Sequence, residues 1–291
     1  MHRWLPNKAE APLNTPVHVN AGRHGPFPGV LDSERIAAYA DATDDPTVAV
    51  RNGEAVPAVY PIILAFEAQE AARADLPDAI WERVRGGVHG EHDIVLHRPL
   101  RPGEALDTWA ELCAVRTSRA GTQVVVHFEQ VGTDGRVAVE QWWTMVLLGL
   151  DGLADLGSMP ADHRFPESAL ANPLGTAVQH VAEDTARHYA EVSGDWSAHH
   201  FDIEVARSAG FDFLFAHGLC TMAMCAHRVL DVIGVVDPGR VRRVAVRFAS
   251  PTRLGGDLTV RAYGLGEGVL AFKASCGDAD VITHGRLELR Q

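Results

Sequence analysis

The chain repeats itself. Tyr39-Ala40-Asp41-Ala42-Thr43-Asp44-Asp45 is echoed by Tyr189-Ala190-Glu191-Val192-Ser193-Gly194-Asp195, with the last aspartate six positions after the tyrosine in both. Further on, Leu96-His97-Arg98-Pro99-Leu100-Arg101-Pro102-Gly103-Glu104-Ala105-Leu106 resembles Phe248-Ala249-Ser250-Pro251-Thr252-Arg253-Leu254-Gly255-Gly256-Asp257-Leu258. Either match alone could be chance. Their agreement in order and in spacing points to a duplication, and so to two copies of one supersecondary unit. We read residues 1–150 as the first repeat, 151–173 as a linker rich in Gly, Pro, Asp and Ala without clear period, and 174–291 as the second repeat.

Both repeats share one coarse layout. A short polar helix leads into an Asp-bearing loop, and an apolar helix follows, from about Tyr60 to Ala74 in the first repeat and from about Gly218 to Ile233 in the second. In the second, Leu219, Met222, Ala223, Met224, Ala226, Val229, Leu230 and Ile233 cover most of the circumference, and a helix apolar nearly all round must be buried. Met222, Met224 and Cys225 then read as core filling. Strands close each repeat. Val124–Val131 and Trp142–Leu148 flank the turn Thr133-Asp134-Gly135, and Arg243–Phe248, Leu258–Tyr263 and Val269–Ala274 alternate with a period near two. The pair Trp142-Trp143 should place one ring on each face of its strand. One long buried helix followed by an antiparallel sheet implies a sheet wrapped around the helix. The expected class is α+β, a double hot-dog in which the two sheets join into one layer.

Composition closes off several functions. There are 26 basic and 38 acidic residues, a net charge of −12, which argues against a nucleic-acid partner. Arg240, Arg242, Arg243 and Arg247 could meet the phosphates of a carrier, although a solvated strand face is the simpler reading. The start, Met1-His2-Arg3-Trp4-Leu5-Pro6, lacks the apolar core of a secretory signal, and no stretch approaches the roughly 20 apolar residues of a membrane helix. Cys113, Cys220, Cys225 and Cys276 are scattered and read as reduced thiols of a cytoplasmic protein.

The densest chemical signal is Ser193-Gly194-Asp195-Trp196-Ser197-Ala198-His199-His200-Phe201-Asp202, followed by Ala209-Gly210-Phe211 and Ala216-His217-Gly218-Leu219-Cys220-Thr221. An aspartate and a histidine five positions apart across a loop can converge on one water molecule, and histidine suits general acid–base work near neutral pH. Gly218, opening the buried helix, offers an unpaired N–H with the positive end of the helix dipole behind it, and glycine admits a ligand close to the backbone. Such a donor can polarise a thioester carbonyl and hold the enolate formed when a Cα proton is added or removed. Asp202 reads as a helix N-cap. Asp45 reads as a relic that caps a helix, and His217 either faces the pocket or makes a structural hydrogen bond. A metal site at His199-His200-x-Asp202 gains no support from a further ligand cluster, so no metal is expected.

SGDW-SAHHFD with AGF and AHGLCT resembles the hydratase motif of the MaoC-like family, in particular the type 2 enoyl-CoA hydratases, whose pattern is S-G-D-x-N-P-[LI]-H-x-D and then H-G. Val88-His89-Gly90-Glu91-His92 followed by Leu96-His97-Arg98-Pro99-Leu100 is similar to the family's N-terminal repeat, so the resemblance covers about residues 30 to 291. It implies that Asp195 and His200 are the catalytic pair, that the Gly218 N–H is the oxyanion donor, and that Ser197, His217 and Leu219 border the substrate. The implied reaction is reversible hydration of a trans-2-enoyl thioester to a (3R)-3-hydroxyacyl thioester. Coenzyme A or an acyl carrier is then part of the substrate, and neither metal nor redox cofactor is needed. The first repeat is expected to be degenerate and to accommodate the acyl chain: at the offset of His200 it carries Val50. A homodimer is compatible. This chain departs from the pattern in having Ser197-Ala198 where the family has Asn-Pro, which gives a shorter side chain and a less rigid loop. Thioester hydrolysis and a non-catalytic acyl-thioester-binding role are the alternatives.

Overall fold

The computed structural model describes residues 18–19, 21–118, 121–208 and 210–291; Met1 to Pro6 and Ala209 lie outside the described residues. The first repeat runs β1 (Arg23–Val30), α1 (Ser33–Thr43), α2 (Val48–Arg51), a 3-10 turn Tyr60–Leu64, α3 (Phe66–Arg73), β2 (Gly86–Leu96), β3 (Ala105–Ser118), β4 (Gly121–Gly132) and β5 (Val137–Leu148). The two-residue β6 (Leu156–Gly157) follows. Then come β7 (Pro173–His180), α4 (Thr185–Ser193), a 3-10 turn Ala198–His200, α5 (Ile203–Ser208), α6 (Gly218–Ile233), β8 (Val241–Phe248), β9 (Asp257–Gly266), β10 (Val269–Cys276) and β11 (Ala279–Leu289).

The strands form a single antiparallel sheet in the order β1-β3-β4-β5-β2-β8-β11-β10-β9-β7, with β6 added on β3. Counted within its own repeat, each block runs first, third, fourth, fifth, second, and the two blocks meet through their second strands. β2 and β8 pair there from Glu91–Arg247 to Val95–Arg243. The sheet curls around the helices, and the main apolar cluster is shared by both repeats. This is a double hot-dog fold.

The α6 helix forms where the apolar pattern places it. Leu219 to His227, Val229 and Leu230 are buried, and Gly234 ends the helix in the left-handed conformation (φ 69°). Its counterpart in the first repeat departs from expectation. The continuous helix expected over Tyr60–Ala74 is a 3-10 turn followed by the eight-residue α3. The reason lies in the strands beneath. Gln130 Nε2 donates to the carbonyl of Pro61 (2.9 Å), and Thr108 Oγ1 donates to that of Leu64 (3.2 Å). Side chains of β3 and β4 thus satisfy carbonyls that a regular helix would bond internally.

The repeats cap one another's helices. Arg35 on α1 donates through Nε to the Val192 carbonyl in the last turn of α4 (2.8 Å). In return His227 Nε2 and Gln179 Nε2 both donate to the Thr43 carbonyl at the end of α1 (3.0 Å each). On the outer face of the β2–β8 join, Arg243 grips Asp93 (2.9 and 2.5 Å) and approaches Glu288 (3.4 Å). Arg242 also pairs with Glu288, and Arg247 lies 3.8 Å from Glu91. These three arginines face acids and are not the free cationic patch that their spacing left open. Cys220 and Cys225 are buried, and all four cysteines are free thiols. No helix among the described residues is long and apolar enough to cross a membrane.

Candidate active site

The site forms where α4 ends and α6 begins. Gly194 caps α4 in the left-handed conformation (φ 84°), its N–H bonded to the Ala190 carbonyl, and this turn aims Asp195 back toward the head of α6. In the first repeat Asp44 makes the same turn (φ 50°), with Asp45 following. Asp195 is tied down on one oxygen. Oδ1 accepts from the Ser197 N–H (3.1 Å) and from Ser197 Oγ (2.5 Å), while the Asp195 N–H donates to Ser193 Oγ (3.1 Å). The serine that replaces the family asparagine therefore spends its hydroxyl on the carboxylate. Asp45 Oδ1 repeats half of this, accepting from the Thr47 N–H (2.9 Å). It closes a turn before α2 and does not cap that helix, whose N-cap Thr47 makes no side-chain cap bond.

His200 is buried (6% exposed), and its Nδ1 donates to the Phe215 carbonyl (3.0 Å). That bond leaves Nε2 as the lone-pair nitrogen. Burial pushes the imidazole well below its ordinary pKa, and the neighbouring His217 and His199 lower it further. The ring is thus neutral at physiological pH and able to accept a proton. His217, the N-cap of α6, donates from Nε2 to the Asp195 main-chain carbonyl (2.9 Å), and its ring lies 3.7 Å from that of His200. Its Nδ1 is buried without a partner, and burial lowers its pKa too. His199 is half-buried and stacks on Phe215 (5.6 Å), a position that leaves the hydrogen-bonded inner place to His200.

Asp195, His200 and His217 each present one donor atom within 4.8 Å of the others, a grouping that could hold a metal ion. His217 already spends Nε2 on the Asp195 main-chain carbonyl and His200 spends Nδ1 on the Phe215 carbonyl, so each ring keeps one nitrogen free. Gly218 stands at the first position of α6, where the N–H has no helical acceptor. A Cβ there would sit 3.4 Å from the Phe248 ring, so glycine keeps a narrow approach open. Leu219, the next residue, is packed in the main apolar cluster at 4% exposure. Asp202 caps α5, accepting from the Glu204 N–H (2.8 Å).

In the first repeat the equivalent place is filled. Val50 is fully buried, and Tyr60 sits against Tyr39 (5.3 Å) much as His217 sits against Tyr189 (5.0 Å). Sequence reasoning missed what this repeat contributes instead. A bulge at Gly90 shifts the register between His89 and Glu91 and turns His89 and His92, three residues apart, onto the same face. A polar chain then crosses the sheet. His89 Nε2 meets His92 Nδ1 (3.2 Å), His92 Nε2 meets Gln141 Oε1 (3.2 Å), and Gln141 Nε2 donates to Gln130 Oε1 (3.0 Å). The Gln130 amide ends the chain on the Pro61 carbonyl, which can only accept. Every donor upstream is thereby oriented: His92 is protonated on Nε2 and receives from His89. Burial depresses both histidines, His92 to about 4. Trp143 stacks on His89 (4.4 Å, 13°), and His89 lies 4.9 Å from Phe248. Between α3 and strands β4 and β5 lies a cavity of about 40 Å³ whose lining includes Gln69, Arg73, Leu76, Trp81, Leu147 and Met145, the residue whose sulfur accepts from the Trp143 Nε1–H. The only forewarning of this wall was the His-Gly-Glu-His run.

A double hot-dog with an Asp–His pair at the head of one central helix defines a class of acyl-thioester proteins, and comparison narrows it. Residues 167–285 match the model described as a MaoC like domain. The chain is 30% identical over 247 residues to 3-hydroxyacyl-thioester dehydratase X of Mycobacterium tuberculosis, covering 79% of this chain and 81% of that protein. The chain belongs to the MaoC-like dehydratase family. Among solved structures, a MaoC-like dehydratase from Phytophthora capsici aligns with a TM-score of 0.83 at 22% identity, over 94% of this chain and 96% of that one. A Mycobacterium tuberculosis protein described as having a double hot-dog fold aligns with a TM-score of 0.55 at 12% identity, over 94% and 95% of the two chains.

Proposed function

We propose that the protein is a hydro-lyase that interconverts trans-2-enoyl thioesters and (3R)-3-hydroxyacyl thioesters, with Asp195 and His200 as its catalytic pair. One observation carries this reading. Each member of the pair is pinned through one atom, Asp195 through Oδ1 and His200 through Nδ1, and each keeps the other atom for a water molecule. In the hydration direction, the water oxygen bonds to C3 as its proton passes to His200 Nε2. The electrons of the double bond move onto the thioester oxygen, which the Gly218 N–H and the helix dipole hold as an enolate. The pair returns a proton to Cα as the enolate collapses. One H and one OH have then been added, and no proton is gained or lost overall.

His217 fixes the loop by holding the Asp195 main chain, and Ser197 orients the carboxylate. The dehydratase name of the Mycobacterium relative supports this chemistry. The thioester handle is coenzyme A or an acyl carrier, with no resident metal or redox group in the proposed steps. The protein is taken to act in the cytoplasm, as a monomer or a homodimer. The first repeat supplies the acyl-chain space.

The test is loss of enoyl absorbance when purified protein meets crotonyl-CoA, assayed together with free thiol. Decay without thiol release, abolished in His200→Ala, is the expected result. Thiol release would assign hydrolysis instead, and binding without turnover would assign a non-catalytic role.

A further inference from the structure

Resting on the hydratase reading above, we propose that Trp143, braced by His89, sets the acyl-chain length and restricts the enzyme to short-chain enoyl thioesters. The argument starts at Gly218, where the thioester carbonyl must sit. The Phe248 ring lies over that glycine, within 3.4–3.7 Å of where a Cβ would be. His89 packs on Phe248 (4.9 Å), and Trp143 stacks on His89 (4.4 Å). Further along β5, Met145 and Leu147 share the inward face with Trp143 and line the apolar cavity beside α3. A chain leaving the thioester along this wall therefore meets the indole before it meets the cavity.

The indole is not free to swing aside. It is only 8% exposed, its Nε1–H donates to Met145 Sδ (3.0 Å), Phe66 meets it edge-on (5.7 Å), and His92 closes a third side (5.7 Å). His89 is held in turn by the directed chain through His92, Gln141 and Gln130 to the Pro61 carbonyl. Moving the tryptophan would break the stack on His89 and leave its own buried Nε1–H without the Met145 sulfur. The space beyond is small as well, at about 40 Å³.

The experiment compares kcat/KM for trans-2-enoyl-CoAs of four, eight and twelve carbons in the wild type, Trp143→Ala and Trp143→Leu. Melting curves report whether each variant folds, and Trp143→Leu keeps a bulky apolar side chain should the alanine variant fail to fold. In the wild type, kcat/KM should fall steeply from four to twelve carbons. In the variants, the twelve-to-four ratio should rise on the order of tenfold or more, since one misfitting methylene is already worth that much. Inhibition constants of saturated butyryl- and dodecanoyl-CoA should change in the same sense, a readout that needs no turnover. A wild type that turns over twelve carbons as well as four overturns the inference, as does a folded variant with an unchanged length profile. Loss of all turnover in the wild type, four carbons included, removes the hydratase reading and the inference with it.

Discussion

Asp195→Asn separates charge from geometry at the centre of the site. The amide oxygen can still accept from the Ser197 N–H and Oγ, so the loop should keep its shape while the negative charge is lost. Turnover should drop by about 10²–10⁴, the usual worth of a positioned acid–base group, with the melting temperature unchanged; near-wild-type turnover would remove Asp195 from the chemistry. His200 gives a pH signature. Burial first, then His217 and His199, hold its pKa well below the ordinary histidine value, so the base form persists on acidification. The rising limb of kcat/KM against pH should therefore fall below pH 6.5, the unperturbed value, and a limb centred at or above it would contradict the assignment. Gly218→Ala places a methyl 3.4 Å from Phe248, beside the N–H proposed to receive the thioester oxygen. Alanine is the better helix former, so stability should hold or rise while kcat/KM falls.

At the scale of elements, the informative comparison is between the two central helices. Residues 218–233 read as a buried helix and form one, because their apolar side chains cover nearly every face. Residues 60–74 carry similar apolar residues yet break into a 3-10 turn and a short helix, because Gln130 and Thr108 below them take two carbonyls. Nothing near Tyr60 in the sequence announces partners that lie 69 and 44 residues away along the chain. Gln141→Leu tests the polar chain. It leaves the His92 Nε2–H and the Gln130 amide oxygen buried without partners, so unfolding free energy from denaturant titration should fall by about 1–3 kcal/mol. A neutral result would mean the chain contributes no order to this wall.

For the molecule as a whole, the join between repeats and the buried histidines set the stability. Arg243→Met would leave Asp93, 4% exposed, without its guanidinium at the β2–β8 seam, while Glu288 keeps Arg242 and Arg286. Removing one partner of a buried pair costs about 3–5 kcal/mol, so a single cooperative transition should move to clearly lower denaturant. Acid should act through His92, whose pKa in the folded protein is about 4 against roughly 6.5 when unfolded. Between these values the unfolded chain binds a proton that the folded one refuses. Stability therefore rises with pH across this window and is lost as pH falls from 6.5 toward 4, by up to about 3 kcal/mol for this one group. His89, His163, His200, His217 and His227, all depressed by burial, act in the same sense. A melting temperature that is flat across that range would contradict the network.

The sequence by itself determined the duplication, the buried helix after Gly218, and the residues that meet at its head, because each depends on short-range spacing: a repeat offset, a helical period, a five-residue step from Asp195 to His200. Tertiary structure alone decided how the repeats join through β2 and β8, which helix breaks, and that the arginines of β8 face acids. It also brought His89 and Trp143 of the first repeat against Phe248 of the second. Those outcomes follow from a bulge at Gly90 and from hydrogen bonds between residues far apart along the chain, and neither leaves a periodic trace to read in advance.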